Sequence, residues 1–155
     1  MANINDLYNQ VLKDHRSFPR NKGLKEDERY RALRAKNPSC GDSIVVQLLI
    51  EDGIIKDVRH EGTGCAICCS SASVMSEVLK GKTIEEADSI IKDFYELIKG
   101  EVPSDEDRLG DAIVYVNIHN FPPRAKCATL AWRAVDTMIN TSREGDIDYE
   151  QEDRK

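Results

Sequence analysis

The stretch SIVVQLLIEDGIIKDVRH, residues 43–60, decides the fold. Ser43 to Ile50 is apolar and β-branched, Glu51-Asp52-Gly53 is a turn signal, and Ile54 to His60 is a second β-branched run, so the segment reads as a β-hairpin. The apolar run is about a third of what a bilayer span requires and is broken by Gln47. Working outward, cysteine-bearing loops flank the hairpin: Asn37-Pro38-Ser39-Cys40-Gly41-Asp42 leads in and Gly62-Thr63-Gly64-Cys65 leads out.

A third strand is expected at Ala112 to Ile118, where Ile113, Tyr115 and Asn117 alternate with Val114, Val116 and Ile118. Ile4, Leu7, Val11 and Leu12 recur at helical spacing and predict a helix from about 4 to 15, ending before Pro19. Ser70 to Leu79 reads as a helix closing at Lys80-Gly81. Thr83-Ile84-Glu85-Glu86 is a capping box that starts a longer helix running to Lys99 before Gly100. A last helix is expected from about Ala125 to Asn140 behind a Pro122-Pro123 stop, with Trp132 in the core.

The 155 residues suit one domain over residues 1–140, with 141–155 as an acidic, disordered tail. The formal net charge of -6 argues against nucleic acid and anionic lipid as partners. The N-terminal stretch MANINDLYNQVLKDH has neither a basic leader nor an apolar core, which predicts a cytoplasmic protein with no membrane association. Against the acidic whole, Arg16 to Lys36 carries eight basic residues and three acids. It is either a solvated irregular segment or a docking surface for an acidic partner.

Five cysteines without an export signal point to metal or thiol chemistry rather than a disulfide framework. Cys40, Cys65 and Cys127 stand at element boundaries, where helix N-termini favour thiolates and Gly41, Gly62 and Gly64 permit tight turns. Asp42 adds an oxygen, giving a three-sulfur, one-oxygen donor set. Thiolates select zinc or iron–sulfur chemistry, and the excess negative charge of such a centre is offset by Arg124 and Lys126. Cys40, on the glycine-containing loop, is the expected nucleophile. Cys65-Ala66-Ile67-Cys68 followed by Cys69 is a weak motif alone; Cys68 and Cys69 read as small helix residues or as reserve thiols. His15, His60 and His119 read as ordinary surface or strand positions.

Together, Leu7-Tyr8 through His15, Pro19-Arg20-Asn21-Lys22-Gly23, Asn37 to Asp42, Gly62 to Ile67, Ser71-Ala72-Ser73 and Arg124 to Trp132 resemble the IscU-like proteins of iron–sulfur cluster assembly, and within them the SufU branch. The resemblance implies an α+β fold in which helices pack against a three-stranded antiparallel sheet, with a site at Cys40, Asp42, Cys65 and Cys127. Lys126 stands where the scaffold branch has histidine, and Phe121-Pro122-Pro123-Arg124 replaces that branch's Leu-Pro-Pro-Val-Lys segment. The stretch Glu96 to Gly110 looks like the SufU insertion. Cysteine replaces the family's usual serine at Cys68. These features imply a zinc-dependent sulfurtransferase that takes persulfide sulfur from a SufS-type cysteine desulfurase and passes it to a downstream iron–sulfur assembly complex. The alternative is a scaffold for nascent [2Fe-2S] clusters on the same residues.

Overall fold

The structure, a computed structural model, describes residues 4–38 and 41–141 and the backbone of 145–148. The hairpin forms as expected. Strands β2 (Asp42–Glu51) and β3 (Ile54–Thr63) pair antiparallel around a two-residue turn, in which Asp52 and Gly53 both take positive φ, 55° and 74°. A bulge opposite Leu49 and Ile50 shifts the phase of β3, so that Ile55, Val58 and His60 all face the core with Val46 and Leu48.

The third antiparallel strand is β1 (Arg31–Asn37), which pairs with β2 from Arg31↔Leu48 to Asn37↔Asp42. This corrects the expectation at Ala112–Ile118. That segment lies in a 3-10 stretch, Glu106–Asn120, kinked at Gly110. Leu109, Ala112, Tyr115 and Ile118 are all buried, one every third residue, which is the 3-10 period. In β1 only Leu33, Ala35 and Asn37 point inward, and this small, partly polar face is a faint strand signal. Beyond β1, Gly145–Asp148 forms a short strand β4 parallel to it, giving the order β3-β2-β1-β4. The rest of the expected acidic tail, 142–144 and 149–155, lies outside the described residues.

Four helices cover the inner sheet face and one another: α1 (Ile4–Ser17), α2 (Ala66–Leu79), α3 (Ile84–Ile98) and α4 (Pro122–Asn140). The capping box of α3 is present in both directions between Thr83 and Glu86. Pro122 and Pro123 begin α4 rather than preceding it, because the first helical turn needs no backbone N–H. α2 is buried almost all round, and its serines are satisfied by neighbours. Ser70 meets the Tyr115 hydroxyl at 2.9 Å, and Ser71 donates to the Ala128 carbonyl while accepting from Trp132 Nε1 at 3.0 Å. Trp132 stacks on Phe94 with ring centroids 4.0 Å apart, as its core assignment requires.

The basic segment is irregular over residues 18–30 but pinned to the sheet. Gln47 exchanges two hydrogen bonds with the Lys25 backbone, Arg59 donates to the Lys22 and Gly23 carbonyls, and His60 Nε2 contacts the Arg20 carbonyl at 2.7 Å. Tyr30 donates to Asp57 at 2.6 Å, and that bond, aided by burial, raises its hydroxyl pKa to about 12. In the Glu96–Gly110 stretch, Ser104 and Arg108 both donate to buried Asp93, which fastens this loop to α3. No helix among the described residues is long and apolar enough to cross a membrane.

Candidate metal centre

Three of the four expected ligands converge. Asp42 opens β2, Cys65 is the N-cap of α2, and Cys127 lies in the second turn of α4; one ligand atom from each falls within 4.8 Å of the others. The fourth, Cys40, lies outside the described residues. On either side of it, Gly41 N donates to Asn37 O at 3.0 Å, and Gly41 takes φ 73°.

Local structure explains the convergence. The hairpin carries Asp42 to the first residue of β2 and Thr63 to the last of β3, paired through Ser43↔Thr63, so Cys65 emerges beside Asp42. Cys65 N donates to Asp42 Oδ1 at 3.0 Å, which fixes the carboxylate against the start of α2. Gly64 makes that approach possible: a Cβ there would sit 2.6 Å from Asp42 Oδ1. Gly62 plays the same part against Ser43, whose carbonyl oxygen would lie 2.2 Å from an added Cβ.

Burial is unequal among the three. Asp42 is 2 % exposed and Cys127 4 % exposed, whereas Cys65 is exposed. Cys65 Sγ accepts from Cys68 N at 3.4 Å, so the thiol takes the capping role usually filled by serine or aspartate and sits at the positive end of the helix dipole. None of the four described cysteines is in a disulfide. Among the described residues, Asp42 Oδ2 is buried without a hydrogen-bond partner. A buried carboxylate oxygen normally has one, and an orphan here is costly unless a cation completes it. Two thiols plus this oxygen make a soft donor set that fits zinc or an iron–sulfur cluster and not calcium or magnesium.

Cys65 faces two grooves. One, between α1, α2 and α4, is lined by Tyr8, Leu12, Arg124 and Cys127; Arg124 also lies over the Phe121 ring, 5.4 Å from its centroid. Burial raises the Tyr8 hydroxyl pKa, opposed by Arg124 and reinforced by Cys65. The other groove, on the sheet side, is lined by His15, Arg16, Lys22, His60 and Cys69. Cys68 is packed in the core, in accord with its reading as a small helix residue. Cys69 is half-buried, and burial raises its thiol pKa.

Of the histidines, His60 on a strand and His119 at the surface fit the expected surface or strand positions, and His15 departs from them. His15 is buried, with Nδ1 at 2.7 Å from Ser73 Oγ and Nε2 at 3.3 Å from Asp111 Oδ2. His60 is buried on β3, while His119 is exposed. Sequence reasoning also passed over Asn37 as a separate feature: it is fully buried opposite Asp42, with neither amide atom hydrogen-bonded. Its place at the start of the Asn37–Asp42 motif was the available signal.

The comparisons with known proteins agree with this geometry. The chain is 40 % identical over 138 residues to the zinc-dependent sulfurtransferase SufU of Bacillus subtilis, covering 89 % of this chain and 92 % of that one. It is 33 % identical over 142 residues to the iron–sulfur cluster assembly scaffold protein IscU of Streptococcus pyogenes, covering 92 % and 88 %. Among solved structures, a candidate iron–sulfur cluster assembly scaffold for the SUF system from Fervidobacterium islandicum superposes with TM-score 0.77 at 31 % identity, over 86 % of this chain and 97 % of that one. The family model for the NifU-like N terminal domain matches residues 7–128. By fold, site position and sequence together, the chain belongs to the NifU-like N-terminal domain family.

Proposed function

We propose that this protein is a zinc-dependent sulfur acceptor in iron–sulfur cluster assembly, taking persulfide sulfur from a SufS-type cysteine desulfurase in the cytosol. The observation that carries the reading is the convergence of Asp42, Cys65 and Cys127 around a buried carboxylate oxygen that has no other partner. Cys40, Asp42, Cys65 and Cys127 are the proposed zinc ligands. Bound zinc would keep its cysteine ligands deprotonated at neutral pH.

Cys40 is the proposed acceptor, since Asp42 opens a strand, Cys65 caps a helix and Cys127 lies inside one, so each of the three is anchored. Its thiolate attacks the terminal sulfur of the desulfurase persulfide; the sulfur–sulfur bond breaks, the desulfurase cysteine leaves as a thiolate, and Cys40 carries the new persulfide. The exposed edge of Cys65, with Arg16 and Lys22 on one side and Arg124 on the other, offers a cationic approach for an acidic partner surface. Lys126, where the scaffold branch has histidine, favours sulfur transfer over the alternative of a [2Fe-2S] scaffold on the same residues.

Two measurements test this. Metal analysis of anaerobically purified protein is expected to give one zinc per chain; iron with sulfide supports the scaffold instead, and no metal defeats both. Peptide mass spectrometry after incubation with desulfurase and cysteine is expected to place one added sulfur atom on Cys40. Finding it on Cys68 or Cys69, with none on Cys40, overturns the acceptor assignment.

A further inference from the structure

Asn37 ends β1 directly opposite Asp42, and both residues belong to the buried face of their strands, behind which α4 carries Cys127. Residues paired across antiparallel strands hold their Cβ atoms about 4.5–5.5 Å apart, so the Asn37 carboxamide lies beside the Asp42 carboxylate. The carboxamide is 0 % exposed, yet among the described residues Oδ1 and Nδ2 have no hydrogen-bond partner, and Asp42 Oδ2 beside it has none either. Three orphaned polar atoms at one spot are unusual, because buried amides are otherwise almost always paired. In a chain where the buried serines, Gln47 and Asp93 all find partners, this concentration has a local cause.

We propose that Asn37 is a positioning residue of the metal centre, whose Nδ2–H donates a hydrogen bond to a ligand thiolate when the centre is loaded. The inference rests on the proposed metal site and adds a residue outside its ligand set. Three thiolates and a carboxylate around a divalent ion leave excess negative charge, and a neutral N–H donor inside a dry pocket stabilises that charge without competing for the metal. Arginine or lysine at this place would repel the ion; leucine would remove this one donor. The carboxamide therefore carries an unpaired polar cost in the metal-free protein that is repaid on loading.

The test uses Asn37→Leu and, as a smaller change, Asn37→Ala. Each is compared with the unaltered protein for zinc affinity by chelator competition, for metal-free melting temperature, and for the thiolate-to-metal charge-transfer band after cobalt substitution. The expected result is a zinc affinity lowered about 10- to 100-fold, a metal-free melting temperature raised in Asn37→Leu, and a charge-transfer band moved to longer wavelength because the thiolate has lost a donor. Unchanged affinity overturns the proposal. So does a loss of affinity with the band unmoved, or failure of both variants to fold, since the amide would then serve the protein fold itself. If the unaltered protein binds no zinc or cobalt, the underlying metal reading has failed, which is distinct from a loading protein that is indifferent to Asn37.

Discussion

Among the described residues, two places bring three ligating side chains within 4.8 Å: Asp42 with Cys65 and Cys127, and His15 with Glu77 and Asp111. They differ in how well they are satisfied without an ion. In the second, His15 spans Ser73 and Asp111, and Glu77 Oε1 lies 3.7 Å from Arg20, whose guanidinium also pairs with Asp14. A cation is already present there as a side chain, and two of the three ligands are exposed carboxylates. In the first, a buried carboxylate oxygen and a buried carboxamide lack partners. Convergence of donor atoms is common in proteins; buried donors left incomplete are what single out a metal centre.

The largest effect expected from breaking this contrast is on metal content. Cys127→Ser and Cys65→Ser should each lose stoichiometric zinc and lower the melting temperature, as chelation of the unaltered protein should, because ion binding contributes to folding. His15→Gln should keep its zinc. Equal zinc loss in His15→Gln and Cys127→Ser, measured by elemental analysis, would erase the distinction between the clusters.

A second substitution sharpens it. In Gly64→Ala the new Cβ meets Asp42 Oδ1, so the carboxylate must move from its bond to Cys65 N. Zinc affinity should fall about tenfold or more, on the scale of losing a ligand's orienting contact. An unaltered affinity in a competition titration would show that Asp42 needs no such fixing.

At the second cluster the expected cost is in stability alone. His15→Gln leaves Ser73 and Asp111 imperfectly matched where α1 meets α2 and the 3-10 stretch, and should cost about 1–3 kcal/mol in denaturant unfolding of the chelated protein.

His60 gives a smaller, pH-dependent effect. Burial holds its imidazole pKa below the usual 6.5, against the Arg20 carbonyl, which favours the charged form. The unfolded chain takes up its proton at higher pH than the folded one. The contribution of His60 is thus fully present above about pH 6.5 and is lost as pH falls through that value toward the folded pKa. His60→Gln should flatten this acid-side slope of melting temperature against pH.

The smallest effect is electrostatic. Reversing Arg16 and Lys22 to Glu should weaken desulfurase activation, and added salt should weaken activation of the unaltered protein for the same reason. Activation that ignores both changes removes this groove as the approach surface.

Much of the molecule was legible because its causes are local. The hairpin was read from β-branched runs around Asp52-Gly53 and the start of α3 from Thr83 and Glu86, whereas α2 begins at Ala66, ahead of the expected Ser70. Asp42, Cys65 and Cys127, the described members of the expected donor set, were picked out by side-chain chemistry, while their convergence from β2, α2 and α4 is tertiary.

What only the tertiary structure decided involves contacts between segments remote in the chain. Arg31–Asn37 becomes a strand because β2 offers it an edge and α4 covers its small inner face, although its own sequence is basic and weakly apolar. Ala112–Ile118 alternates like a strand, yet three-residue spacing of Leu109, Ala112, Tyr115 and Ile118 against the helices places it in a 3-10 stretch. His15 is buried by residues 58 and 96 positions away, and Asn37 is stranded beside Asp42 by strand pairing. Sequence determines what a segment can do alone; burial and the satisfaction of polar groups belong to the packed whole, because each requires a partner that the segment does not contain.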